Sequence, residues 1–174
     1  MVDPYLNYCS LVWANTTEAN LSRVSMLQKK DVRIIVNSDF LAHTVPIFVS
    51  LNILPFRQIY LLKLGVFMFK FLNSLLPNSF NIMFNRNNEV RGHNTRRTNY
   101  FHLDYSRTEF FQNTIRFKGP YHYNNIPLNI TQSTSLSSFK NLYFKFLINL
   151  IQSWAIPTSQ TWSKFCFCLN QYMT

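Results

Sequence analysis

The sequence predicts a mostly α fold with a small irregular or β section in the middle. Three observations carry this. Apolar residues recur at helical spacing in three long stretches, over 17–36, 55–75 and 135–151. Prolines and small polar residues stand at the edges of those stretches, where helices start or stop. Between the second and third, over 85–99, Asn and Arg replace nearly all apolar residues and the periodicity stops.

The first element predicted is a short helix over Tyr5 to Ala14, with Leu6, Cys9, Val12 and Trp13 on one face, so Cys9 reads as core. Asn15-Thr16-Thr17-Glu18 interrupts it: Asn15 or Thr16 can cap the next helix, and Glu18 suits its first turn. That helix runs from Thr17 to Val36, with Leu21, Val24, Leu27 and Ile34/Ile35 as its expected buried stripe. Arg23, Lys30 and Arg33, joined by Lys29, form another face, and Asn37-Ser38-Asp39 ends the helix. Thr44 to Leu51 is a short helical turn with Pro46 near its start.

Pro55 opens the longest helix, to Leu75, with Ile59, Leu62, Val66, Phe69 and Leu72 or Asn73 as one apolar face and Pro77 as its stop. An exposed Arg-rich loop follows over Asn85 to Asn99. Tyr100 to Tyr105 partly alternates, as a strand does. Phe110 to Lys118 fits an extended or a helical piece equally, and Gly119-Pro120 reads as a turn. Ser135 or Ser137 caps a last helix to Ile151, with Phe139, Leu142, Tyr143, Phe146, Leu147 and Leu150 on its apolar side. The resulting division is 1–84 helical, 85–134 basic loop and extended section, 135–152 C-terminal helix, and 153–174 divergent tail.

Composition bounds the function. The 174 residues carry 17 Lys and Arg against 7 Asp and Glu, a formal net charge of +10. Glu109 is the last acid, and Arg116, Lys118, Lys140, Lys145 and Lys164 follow it. Such an excess favours a polyanionic partner, nucleic acid or an anionic surface; a basic domain without one has the same composition. Hydrophobic residues at 47% and aromatics at 17% exclude a disordered chain. Three Cys make no disulfide framework and suit a reducing compartment. The N-terminus lacks a signal-peptide pattern, and no stretch of about 20 apolar residues spans a membrane. The expectation is a soluble intracellular protein, nuclear or cytoplasmic, with no membrane partner and an oligomeric state the sequence leaves open.

No catalytic constellation is visible. Asp3, Glu18, Asp31, Asp39, Glu89, Asp104 and Glu109 include no adjacent or i, i+4 pair. The 3 Gly are too dispersed for a phosphate loop, and Cys166-Phe167-Cys168 has no second ligand pair at zinc spacing. The positive signal is basic residues near aromatics. Lys29, Lys30 and Arg33 on one helix face are the first candidates for phosphate contacts. Arg96 and Arg97 are the second, within a loop that also holds Arg86 and Arg91 and precedes Tyr100, Phe101 and Tyr105 as stacking surfaces. A solvated helix face, and a flexible loop before core aromatics, account for the same residues.

An ordered set of short motifs adds a resemblance. Pro4-Tyr5-Leu6-Asn7-Tyr8-Cys9 with Val12-Trp13-Ala14-Asn15 is similar to the "PYLNYC..VWGN" stretch of LINE-type, jockey-like non-LTR retrotransposon reverse transcriptases. Leu27-Gln28-Lys29-Lys30 with Arg33-Ile34-Ile35 resembles "LQKKAIRII"; His43, Pro46, Phe48, Leu51, Ile53 and Leu54 resemble "H..PLF..L.IL". Leu76-Pro77 with Phe80 and Phe84, Thr95-Arg96, and Ser138-Phe139-Lys140 resemble "LP..F...F", "TR" and "SFK". Ile115, Gly119-Pro120, Asn124, Ile126-Pro127 and Ile130 resemble "I...GP..WN.LP..I". Order and spacing agree over roughly Pro4 to Leu150. Ala14 stands where Gly is usual, Tyr123 near the usual Trp, and Asp31 interrupts the apolar pair after Lys30.

The resemblance implies a helical, thumb-like C-terminal region of an RNA-directed DNA polymerase. In such enzymes the palm carries paired metal-binding Asp residues and uses a divalent metal, expected to be Mg. No Asp-Asp occurs here and Met1 falls just before the thumb-like region, so the expectation is a fragment without the palm, with no catalytic residue and no cofactor of its own. Its residual role would be binding a primer–template RNA/DNA duplex by charge and shape. The alternative is a non-functional translated transposon remnant, exposing Phe67, Phe69 and Phe71 where a palm once packed. A membrane-surface module ranks last.

Overall fold

A computed structural model describes residues 3–90 and 98–155 of the chain, with backbone alone at 3, 154 and 155. The fold is mostly α, as the sequence predicts. Its α-helices are α1 (Asp3–Asn7), α2 (Ser10–Trp13), α3 (Glu18–Val36), α4 (Thr44–Ser50), α5 (Phe56–Leu72), α6 (Asn87–Val90), α7 (Glu109–Gln112), α8 (Ile115–Asn124), α9 (Leu128–Thr131) and α10 (Leu136–Ala155), with a 3₁₀ turn at Asn78–Phe80.

Helix α5 is the axis. It meets α8 and α10 on one side and α1, α2 and α3 on the other. Its buried residues, among them Phe56, Ile59, Tyr60, Leu64, Val66, Met68 and Phe69, lie all round the helix rather than on the single face expected. A helix apolar on every side is one enclosed by neighbours. A glycine marks the close approach of α5 to each of two neighbours, α10 and α8. A Cβ on Gly65 would lie 2.7 Å from Tyr143 Cε1 of α10, and one on Gly119 of α8 would lie 2.8 Å from Met68 Sδ. Phe69 and Phe139 stack at 4.5 Å where α5 crosses α10. The main core gathers α5, Phe84, Phe101, α8, α9 and α10. Phe67 packs edge-on to Phe80 and Phe84, Phe71 to Phe84, and Phe69 is 2% exposed. The expectation that these three phenylalanines stand open is therefore overturned.

Three helices end alike, with a left-handed residue and paired 6→1 and 5→2 backbone bonds. After α3, Asn37 (φ 53°) is followed by Ser38 N–H on the Arg33 carbonyl and its own N–H on Ile34. Asn52 does this after α4 and Ser74 after α5, the latter with Leu75 N–H on Lys70. Asn and Ser stand in for the usual Gly of this motif. Helix α5 thus stops at Leu72, three residues short of the predicted Leu75, by its own capping before Pro77 acts.

Other expectations change. The Tyr5–Ala14 helix breaks at Cys9, which takes a left-handed φ of 47° and is exposed rather than core. Asn15 does not cap α3: its amide oxygen accepts the Tyr60 hydroxyl at 2.8 Å. Tyr100–Tyr105 forms no strand; a single antiparallel bridge joins Arg86 and Phe101, too little partner chain for a ladder. Gly119-Pro120 lies inside α8, where Gly119 allows the approach to Met68 and Pro120 leaves one helical bond unmade. Phe110–Lys118 resolves as helical, in α7 and the start of α8. Ser135 rather than Ser137 caps α10, its hydroxyl accepting Ser138 N–H at 3.1 Å.

Candidate nucleic-acid interface

Helix α3 carries the first candidate residues, and its orientation is set from underneath. Only Gln28 and Val32 of this helix are buried. The Gln28 amide donates to the Leu54 carbonyl at 3.0 Å and accepts Phe56 N–H at 2.7 Å. Phe56 opens α5, and its N–H has no acceptor within its own helix. Pro55, at the helix start, has no capping side chain. A side chain 28 residues upstream therefore caps α5 and pins α3 across it. Within the Leu27-Gln28-Lys29-Lys30 motif, Gln28 is the residue that holds the structure.

With Gln28 turned in, Lys29 and Lys30 turn out and are exposed. Neither forms an ion pair among the described residues. Arg33 is half-buried and differs in kind. Its Nε donates to the Ala42 carbonyl at 3.0 Å, and its guanidinium lies over the Phe40 ring, 5.8 Å from the centroid. Arg33 ties the turn after α3 to the helix end, so only part of its charge faces solvent. The first predicted group thus divides into two open lysines and one structural arginine.

The second predicted group, Arg96 and Arg97, lies outside the described residues, as does Arg91. Of the stacking candidates beside it, Phe101 is core at 3% exposure and Tyr105 is open at 91%. Phe101 is buried because Asn124 of α8 clamps its backbone, accepting its N–H and donating to its carbonyl, each at 2.9 Å. Asn124 belongs to the "GP..WN.LP" resemblance, so that motif also has a packing role in this chain.

Lys140 and Lys145 on α10 are exposed and unpaired among the described residues. Lys145 borders a shallow groove of about 500 Å³ with Asn52, Asn141 and Phe144. These lysines were not singled out from sequence; the signal for them was the absence of any acid after Glu109.

Three of the seven acids have defined partners, and among the described residues Asp31 Oδ2 is buried without one. Glu18 pairs with Arg57, Asp104 with Arg116 at 3.0 Å, and Glu89 accepts Arg86 N–H at 2.8 Å. Among the described residues no three His, Cys, Asp or Glu side chains converge as a divalent-metal set would. The most perturbed group is His122 of α8. Burial pushes its pKa down from 6.5 to about 4, opposed by a hydrogen bond to the Leu61 backbone. Its Nε2 and the Tyr143 hydroxyl form a hydrogen bond. Burial also pushes the Tyr60 and Tyr123 hydroxyls up to about 12 and the Lys118 ammonium down. His122 thereby joins α8 to α10, and Tyr60 joins α5 to the turn at Asn15, both inside the bundle.

Among the described residues no helix is long and apolar enough to cross a membrane. Compared with known protein families, curated proteins and solved structures, the chain matches none.

Proposed function

We propose that the chain is a thumb-like, duplex-holding region of a LINE-type retrotransposon reverse transcriptase, and that it binds the backbone of a primer–template RNA/DNA duplex without supplying catalytic carboxylates or a metal. The ordered motif set supports the origin. The observation that carries the binding is the pair Lys29 and Lys30, exposed and unpaired on a helix fixed by the buried Gln28. Two cations on a rigid helix suit phosphate contact, which depends on charge and shape and carries no base readout.

Fluorescence anisotropy with an RNA/DNA duplex over a salt series tests this. Affinity falls steeply with salt, and the log–log slope shrinks by about 2 in the Lys29→Ala, Lys30→Ala double variant, near 0.9 per phosphate released. Both side chains are exposed, so the variant keeps its fold. No duplex binding at low salt, or an unchanged slope, removes the assignment.

A further inference from the structure

The stripe of α3 that the sequence marks as buried is in part its most open surface. Leu27 is 59% exposed and Ile34 is 76% exposed. They are seven residues apart, and Arg23 and Lys30 alternate with them at spacings of four, three and four. Such spacing puts all four on one seam, with Leu27 and Ile34 at a positions of a heptad and Arg23 and Lys30 at d. The apolar surface continues past the helix end. Phe40 and Leu41 are 67% and 83% exposed, and the Arg33–Ala42 and Ser38–Arg33 hydrogen bonds fold their turn back onto α3. Nothing among the described residues covers this seam, whereas the opposite side is held by Gln28 and Val32.

We propose that this seam docks an amphipathic acidic helix of a partner protein, with apolar residues against Leu27 and Ile34 and carboxylates against Arg23 and Lys30. Charge selects this occupant. A second copy in parallel register would set Arg23 on Arg23 and Lys30 on Lys30, and an antiparallel one would bury Lys30 against Leu27, so self-pairing leaves cations desolvated without partners. A duplex backbone offers phosphates for the cations but nothing apolar for two a-position side chains. A helix with Leu at a and Glu at d satisfies both. This proposal shares Lys30 with the nucleic-acid reading, so duplex and helix would compete for that side chain, but it rests on Leu27 and Ile34, which have no part in phosphate contact.

The test uses the full chain and two synthetic four-heptad peptides, one with Leu at a and Glu at d, the other with Lys in place of Glu. Binding is followed by fluorescence anisotropy. The Glu peptide should bind saturably, at least tenfold more weakly to the Leu27→Ser, Ile34→Ser variant, and the Lys peptide should not bind. Far-UV circular dichroism of that variant should match the parent, because both side chains are exposed. Absence of saturable Glu-peptide binding, equal binding of the Lys peptide, or binding unchanged in the serine variant overturns the proposal. So does tighter binding of the parent to anionic phosphatidylserine vesicles than to the Glu peptide when that vesicle binding is lost in the serine variant, which would identify a lipid surface as the occupant.

Discussion

Replacing Gln28 with Met keeps the length of the side chain and removes both polar ends. The Leu54 carbonyl then loses its donor and Phe56 N–H its acceptor. Both sit where water cannot replace Gln28, since Leu54 is 3% and Phe56 1% exposed. Each buried group left unpaired costs about 1–3 kcal/mol, and the added methionine burial offsets a fraction of this, so the net loss is about 2–4 kcal/mol. For a chain of this size that lowers Tm by roughly 5–15 °C. Urea and thermal unfolding by circular dichroism measure it. Amide exchange at Phe56 should accelerate more than at Leu64, in the middle of α5, because the cap is what shields that N–H. Gln28→Glu separates the two bonds: the carboxylate still accepts Phe56 N–H but cannot donate to Leu54. That variant should be least stable at neutral pH and recover in part as acid restores a donor. A loss below about 0.5 kcal/mol for Gln28→Met, or no change in Phe56 exchange, would refute the idea that Gln28 caps α5.

Other outcomes follow from the same packing. His122 is held neutral by burial, with a folded pKa of about 4 against 6.5 unfolded. Its contribution is complete above pH 6.5 and is lost as pH falls towards 4, about 3 kcal/mol in all, and the urea midpoint of the His122→Gln variant should vary less across that window. Gly65→Ala should destabilise by about 1–2 kcal/mol in urea unfolding despite alanine's better helix propensity, because the new Cβ meets a Tyr143 ring that is 1% exposed and has no room to retreat. Asn124→Ala strips both bonds from the Phe101 backbone and should cost about 2 kcal/mol, with amide exchange rising first at Phe101.

Sequence by itself determined that this chain is helical, where its long helices lie, and that its charge is excess cation. Periodicity and capping chemistry are local, and α3, α5 and α10 appear close to their predicted bounds. Which stripe of a helix is covered is not local. Leu27 and Gln28 are neighbours in the chain, and hydrophobicity alone assigns the leucine to the core. The structure buries the glutamine instead, because the start of α5 presents an N–H and a carbonyl that the Gln28 amide, both acceptor and donor, satisfies together. The same tertiary choice divided the basic group, leaving Lys29 and Lys30 open while Arg33 was drawn onto Ala42 and Phe40. It also placed Gly119-Pro120 within a helix, since contact with Met68 across α5 outweighed the local preference for a turn. Composition told what charge the surface bears; only the packing of α3 on α5 decided which residues bear it.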